Sequence, residues 1–180
     1  MKETISGVTL ELLQGDISAQ EEVEAVVNAA NAQLRPGGGV AGAIHRAAGP
    51  GLDEECRPLA PIKPGQAVIT SGHQLPNQKV IHCLGPVYGK DKPEEELLAS
   101  CYREALKLAE ENGVTSVAFP SISSGAFGYP TEDAAEVAIK TILEIIPTLE
   151  QVKKIRFVLY SQKDLEIYQN IFTKILESRK

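Results

Sequence analysis

Three consecutive glycines, Gly37 to Gly39, are the residues of this chain best suited to binding a charged ligand. They follow a short apolar run, Ala25–Val27, that ends in two asparagines, Asn28 and Asn31. Glycine lacks the Cβ atom that keeps a ligand away from the backbone and tolerates positive φ, so neighbouring N–H groups can converge on one anion. The small-residue segment that follows is compatible with a helix, whose N-terminus carries partial positive charge. This pattern predicts a phosphate-binding loop.

A second loop of small residues has the same character. Ser121–Gly128 follows an apolar run, Val117–Phe119, and precedes a predicted helix that starts near Thr131. Ligands of open α/β sheets bind outside the carboxyl ends of the strands, so we expect the two loops to face one crevice. Their N–H groups suffice for a diphosphate, at roughly 1.5–3 kcal/mol for each charge-assisted hydrogen bond. The alternative is that both loops are ordinary tight turns.

Length and composition limit the class of protein. The 180 residues fit one domain, residues 1–180, and 43% of them are apolar. The formal net charge of −6 argues against binding to nucleic acid, which depends on clustered Lys and Arg. The three cysteines are widely spaced, which suits a reducing compartment and gives no sign of a metal site. No apolar stretch reaches the length of about 18 residues that a membrane span needs. We therefore expect a cytoplasmic protein, and nothing in the sequence requires more than a monomer.

Short apolar runs alternate with longer amphipathic segments, which predicts a layered α/β fold. Runs typical of strands are Val8–Leu12, Ala25–Val27, Ala67–Thr70, Lys79–Leu84, Val117–Phe119 and Ile155–Leu159. Amphipathic stripes predict helices from Leu97 to Ala109, from Ala135 to Ile146 and from Leu165 to Leu176. The runs Ala67–Thr70 and Lys79–Leu84 are too close in sequence for a helix to connect them as parallel strands. We therefore expect part of the sheet to be antiparallel.

Two common nucleotide-binding motifs are missing. The P-loop motif GxxxxGK[ST] is absent, which disfavours hydrolysis of nucleoside triphosphates. The segment 37–42, GGGVAG, fits the dinucleotide motif GxGxxG only loosely, which disfavours a nicotinamide-dependent oxidoreductase. The sequence therefore predicts no cofactor.

Several separated motifs, all in the same order, resemble the macrodomain family. They are GDI at 15–17, VNAAN at 27–31, GGGV at 37–40, IHRAAG at 44–49, VIH at 80–82 with GP at 85–86, and FPSISSG at 119–125 with GYP at 128–130. The resemblance runs from about Gly7 to about Leu176. It implies a three-layer α/β/α sandwich with a six-stranded mixed sheet and a cleft that binds ADP-ribose, either free or attached to a protein.

The resemblance also implies which residues contact the ligand. The matching positions are Asp16, Ile17, Asn28, Asn31, Gly38, Gly39, Val40, Ser121, Ser123, Ser124, Gly125, Ala126, Phe127 and Tyr160. Asp16 and Ile17 match contacts to the adenine amino group, and Tyr160 matches the aromatic position beside the base. The glycines and the second loop match the diphosphate cradle. Asn31 and Phe127 match contacts to the distal ribose.

Taken alone, four residues also allow a different interpretation. Asp16 suits the N-cap of a helix, and Tyr160 suits the hydrophobic core. Asn28 is equally suited to contacting the ligand and to holding its own loop in place through hydrogen bonds, a role that we call a bracket. His45 suits a packed helix residue, although a neutral imidazole can also act as a general base.

One position departs from the family pattern. The MacroD-type hydrolase branch usually reads GGGVDG in the first loop, and the resemblance implies that an aspartate there orients or activates the attacking water. This chain has Ala41 there, which leaves Asn31 and His45 as the catalytic candidates. The resemblance implies ADP-ribose binding, with hydrolysis of an ADP-ribosyl linkage or of O-acetyl-ADP-ribose as the activity to expect. The alternative is a reader module that binds ADP-ribose without turnover.

Overall fold

In the computed structural model, which describes Met1–Lys180, one seven-stranded sheet lies between two layers of helices. The strands are β1 (Lys2–Ile5), β2 (Val8–Gln14), β3 (Ala25–Ala29), β4 (Ala67–Ser71), β5 (Lys79–Cys83), β6 (Ser116–Phe119) and β7 (Lys154–Leu159). The helices are α1 (Gly39–Ala48), α2 (Pro50–Cys56), α3 (Glu94–Glu111), α4 (Thr131–Ile145) and α5 (Gln162–Ser178). None of these helices combines the length and the apolar character needed to cross a membrane.

The sheet is mixed, as the sequence predicts. Its strand order is β1-β2-β7-β6-β3-β5-β4. The five inner strands run parallel, and the two edge strands pair antiparallel with their neighbours. The predicted antiparallel pair is confirmed, because Ala67 lies opposite Cys83 and Ser71 lies opposite Lys79.

The expected number of six strands is wrong, because β1 forms a seventh at the edge of the sheet. Its sequence, KETI, lacks alternation, and three of its four residues are exposed. No periodic signal therefore marks it, and it is held by its antiparallel ladder with β2, from Lys2 opposite Glu11 to Ile5 opposite Val8. The short helix α2 is likewise absent from the sequence prediction.

Successive residues of the inner strands face opposite layers of helices. Val27 and Phe157 pack in the larger core cluster, beneath α3, α4 and α5. Val26 and Val158, their chain neighbours, pack in the smaller cluster beneath α1 and α2. Because both faces of the sheet are covered, its strands read as continuous apolar runs rather than alternating ones.

A buried ion cluster anchors the segment between β2 and β3. Arg156 donates a hydrogen bond from Nε to Glu11, and another from Nη1 to Gln20 Oε1 at 2.9 Å. Gln20 in turn donates to the carbonyl oxygen of Asp16 at 2.7 Å. Burial alone would raise the pKa of Glu11, but Arg156 and Lys154 hold it below its ordinary value of 4.5. The cluster therefore fixes the backbone that carries Asp16.

The Arg156→Met substitution tests this anchor. It leaves Glu11 buried without its main partner, so we expect the free energy of unfolding to fall by about 3 kcal/mol in urea titrations at pH 7. Glu11 has a depressed pKa in the folded state, so its contribution is present above pH 4.5 and is lost as the pH falls through that depressed value. The difference between the variant and the wild type should therefore shrink in acid.

The control is Arg103→Met, which removes an exposed ion pair with Glu96. We expect it to change stability by less than about 1 kcal/mol. Equal losses in the two variants would contradict the anchoring role of Arg156.

Candidate functional site

Four neighbouring parallel strands bring the candidate residues to one edge of the sheet. β2 is followed by Asp16, β7 by Tyr160, β6 by the second loop, and β3 by Asn31 and the three glycines. These strands lie side by side in the order β2-β7-β6-β3. Their carboxyl ends therefore line a single crevice.

The first loop leads directly into the N-terminus of α1. Gly38 is the N-cap residue, and Gly39 has a φ of 56°, which favours glycine. The N–H groups of Gly39, Val40 and Ala41 have no intrahelical acceptor, and no other acceptor in the protein takes them. The first turn of α1 holds no acidic residue. This helix end is therefore free to bind an anion.

The first loop is held in shape from both sides. Asn31 donates from Nδ2 to the carbonyl oxygen of Arg35 at 2.8 Å and accepts from the Arg35 N–H at 3.0 Å. On the other side, a Cβ atom on Gly42 would lie 2.3 Å from the carbonyl oxygen of Gly37. Helix α1 can pack this closely against the loop only because residue 42 is glycine.

The second loop presents a series of N–H groups that no backbone acceptor takes. None of the N–H groups from Ser121 to Phe127 donates to another backbone group, although that of Ile122 faces the buried Tyr102 hydroxyl. The turn closes after them, where the Gly128 N–H donates to Gly125 and the Tyr129 N–H donates to Ser123, both at 3.0 Å. The loop therefore offers donors to a ligand rather than to the rest of the chain.

Side chains from other elements support the second loop. The Ser121 hydroxyl contacts that of Ser124 and accepts a hydrogen bond from the Tyr168 hydroxyl at 2.9 Å. Ser123 is 7% exposed and has a φ of 69°, and a Cβ atom on Gly85 would lie 2.1 Å from its Oγ. The backbone after β5 therefore packs directly against this loop.

Asp16 and Tyr160 lie at the opposite end of the crevice. Asp16 is exposed and accepts from the N–H and the hydroxyl of Ser18 at 2.9 Å and 2.6 Å, which lowers its pKa. No helix begins at Asp16, so the N-cap interpretation is wrong. Tyr160 is 88% exposed, so the core interpretation is wrong as well. The Ile17 side chain is buried, which leaves its backbone as the part available for contact.

Asn28 belongs to a buried polar network behind the first loop. Its Nδ2 donates to Nδ1 of His82 at 3.0 Å, which places the His82 proton on Nε2, 2.9 Å from the Thr70 hydroxyl. Burial, together with the nearby His45, lowers the pKa of His82 to about 3. Asn28 is only 1% exposed, which favours the bracket interpretation. Its Oδ1 has no partner in the protein.

His45 lies in α1, one helical turn after Ala41. It is 6% exposed, and neither ring nitrogen has a hydrogen-bond partner in the protein. Burial lowers its pKa, with an opposing effect from Asp53 and a smaller lowering effect from Arg35. His45 is therefore neutral at pH 7. It is packed, as one interpretation predicted, but it is not hydrogen-bonded.

The fold and this crevice define a mixed α/β protein with an anion-binding edge, and comparisons with known proteins give the family. A model of the Macro domain matches residues 27–138. A macro domain-containing protein of Chlorobaculum tepidum is 50% identical over 163 residues, which cover 90% of this chain and 94% of the relative. An O-acetyl-ADP-ribose deacetylase of Salmonella typhimurium is 45% identical over 170 residues, covering 92% and 94%. The chain belongs to the macro domain family.

Solved structures agree with this assignment. The Oceanobacillus iheyensis macrodomain with ADP matches with a TM-score of 0.94 and 41% identity, over 99% of this chain and 97% of that chain. The Trypanosoma brucei macrodomain in complex with ADP-ribose matches with a TM-score of 0.84 and 34% identity, over 89% and 68%. Relatives of this chain therefore bind ADP-ribose in solved structures.

Two residues that shape the site received no role from the sequence. Gly42 and Gly85 allow close backbone approaches, at α1 and behind Ser123 respectively. A glycine inside a helical segment and a glycine before a proline were the available signals. Neither signal says which backbone comes close, because the partners are distant in the chain.

The Gly42→Ala substitution tests the contact between α1 and the first loop. Alanine would normally favour a helix, but here its methyl group would overlap the Gly37 carbonyl. We expect the free energy of unfolding to fall by about 1–2 kcal/mol, measured by urea titration, because a backbone atom cannot rotate away. Gly125→Ala, where nothing lies within 4 Å, should leave stability unchanged. A Gly42→Ala variant as stable as the wild type would contradict this contact.

Proposed function

We propose that this protein binds ADP-ribose, free or attached to a protein, in the crevice where β2, β7, β6 and β3 end. One observation carries the proposal. The N–H groups of Gly39–Ala41 and of residues 123–127 are free, and the two loops follow two paired parallel strands. Such a double set of neutral donors suits a diphosphate.

The two ends of the crevice suit the two ends of this ligand. At one end the ionised Asp16 carboxylate accepts from the adenine amino group, and the exposed ring of Tyr160 stacks on the base. At the other end Asn31 and Phe127 adjoin the distal ribose. Between them the glycine loop and residues 121–127 hold the diphosphate. Related macrodomains have been solved with ADP and with ADP-ribose, which supports a ligand of this class.

Ala41 bears on what happens to the bound ligand. It lies in the first turn of α1 and is 5% exposed, and its methyl group cannot activate water. The other candidates are Asn31, whose amide is bound to Arg35, and the buried, neutral His45. We propose slow hydrolysis of an ADP-ribosyl linkage or of O-acetyl-ADP-ribose, the substrate named for the Salmonella relative. The second candidate function is that of a reader, which binds ADP-ribose without turnover. The observation in its favour is Ala41, because alanine supplies no group that could activate water.

We also propose that residues 1–180 form one domain that acts as a monomer in the cytoplasm. All three cysteines are free and buried, which suits a reducing compartment. The large hydrophobic side chains that are exposed are few: Met1, Leu59, Tyr88 and Tyr160. One continuous sheet joins β1 to β7.

The first test of this function is calorimetric titration with ADP-ribose. We expect a micromolar or tighter dissociation constant, about −8 kcal/mol or better. Gly125→Glu places a carboxylate among the loop donors at a position where an added Cβ atom has nothing within 4 Å, so binding should be lost while the melting temperature is kept. The control Thr173→Glu adds the same charge on the exposed face of α5 and should bind normally. No heat from the wild type at millimolar ligand would refute ADP-ribose binding.

Turnover is tested by the Ala41→Asp substitution. An aspartate one turn from His45 raises the pKa of the imidazole and supplies a carboxylate that can activate water. We expect faster release of free ADP-ribose from a mono-ADP-ribosylated protein, with little change in ADP-ribose affinity. Ala41→Asn is the size-matched control without a basic group. An unchanged or lower rate would contradict this account of residue 41, and no release by the wild type would identify it as a reader.

A further inference from the structure

An acidic groove of about 660 Å³ lies between α3 and α4, outside the crevice. Six carboxylates line it, together with Arg103 and Lys140. Both cations are already paired with glutamates of the groove. Three of the carboxylates, those of Glu95, Asp133 and Glu144, form no ion pair or hydrogen bond within the protein. The groove therefore keeps an unbalanced negative charge.

Two tyrosines, Tyr88 and Tyr129, contribute aromatic rings to the groove. Tyr129 is 5% exposed and lines the groove, and its hydroxyl, which lies near Glu95, Glu94 and Asp133, forms no hydrogen bond within the protein. Burial and the nearby carboxylates raise its pKa to about 12, so the oxygen stays neutral and can accept a hydrogen bond. The Tyr88 ring lies 4.9 Å away, edge to face, and is 44% exposed. An exposed aromatic face next to carboxylates suits a cationic side chain.

The groove begins where the second loop of the crevice ends. The Tyr88 N–H donates to the carbonyl oxygen of Phe127 at 2.9 Å, and the Tyr129 N–H donates to that of Ser123 at 3.0 Å. Phe127 adjoins the distal ribose in the proposed function, and the distal ribose is the end at which ADP-ribose is attached to a protein. A polypeptide leaving the crevice at Phe127 therefore meets the acidic groove.

We propose that this groove binds lysine or arginine side chains of the polypeptide that carries the ADP-ribose. The inference rests on the proposed function, because the crevice has to hold the nucleotide. Unpaired carboxylates, an unpartnered phenol oxygen and an exposed ring are the three features that a cationic side chain satisfies together. No group of His, Cys, Asp or Glu side chains in the protein is placed to share a metal ion, which favours an organic cation as the occupant.

The test compares three ligands by calorimetry in low salt. They are free ADP-ribose and two peptides that carry it on a central residue through a non-hydrolysable bond, one flanked by lysines and the other by glutamates. The wild type should bind the lysine peptide about tenfold more tightly than the glutamate peptide, and added salt should reduce the difference.

The groove is neutralised by the triple variant Glu95→Gln, Asp133→Asn, Glu144→Gln. We expect it to lose the preference for the lysine peptide and to bind free ADP-ribose as the wild type does. The matched control Glu132→Gln, Glu166→Gln, Glu177→Gln removes the same charge from exposed positions outside the groove and should keep the preference. Tyr129→Phe should weaken the binding of the lysine peptide about threefold without lowering the melting temperature of the protein.

The outcomes separate the two proposals. If the wild type bound both peptides equally tightly and still bound free ADP-ribose, the proposal that the groove binds cationic side chains would be wrong. The proposed function would not be affected. If the control variant also lost its preference for the lysine peptide, the groove proposal would be overturned too, because the preference would then reflect only the net charge of the protein. Failure of the wild type to bind free ADP-ribose would overturn both.

Discussion

Parallel pairing of the inner strands is the constraint on which the site depends. Residues of the crevice come from positions as far apart as Asp16 and Tyr160, and no local interaction joins them. Parallel registers, such as Gln14 opposite Leu159 and Ala25 opposite Val117, place the ends of four strands on one edge. The hydrophobic cores on the two faces of the sheet hold these registers, because a slip of one residue would exchange the side chains that pack in the two clusters.

Free backbone N–H groups set the chemistry of that edge. A chain with a net charge of −6 would repel a diphosphate unless local donors outweighed the general field. The two loops, Gly37–Gly39 and Ser121–Gly128, supply such donors without lysine or arginine. Residues that fix the loops, such as Asn31, Gly42 and Gly85, therefore matter as much as those that face the crevice.

Sequence patterns predicted the layered fold and the two loops, because apolar runs and glycine clusters are local signals. They missed β1, whose exposed residues carry no alternation. They also did not decide whether Tyr160 is buried or exposed, because a tyrosine at the end of a strand suits both environments. Only the tertiary structure shows that it is exposed. The acidic groove could not be predicted, because Glu95 and Asp133 lie on different helices that only the tertiary fold brings together.

The acidic residues are distributed in a way that separates two binding chemistries on one face of the protein. Helix α4 follows the second loop, but Glu132 and Asp133 occupy its first turn and offset the positive end of its dipole. Helix α1 follows the first loop and has no acid in its first turn. An anion at this edge is therefore drawn towards Gly39 and the free loop N–H groups, and away from α4. Of these two carboxylates, that of Asp133 also lines the acidic groove, where we propose that cationic side chains bind.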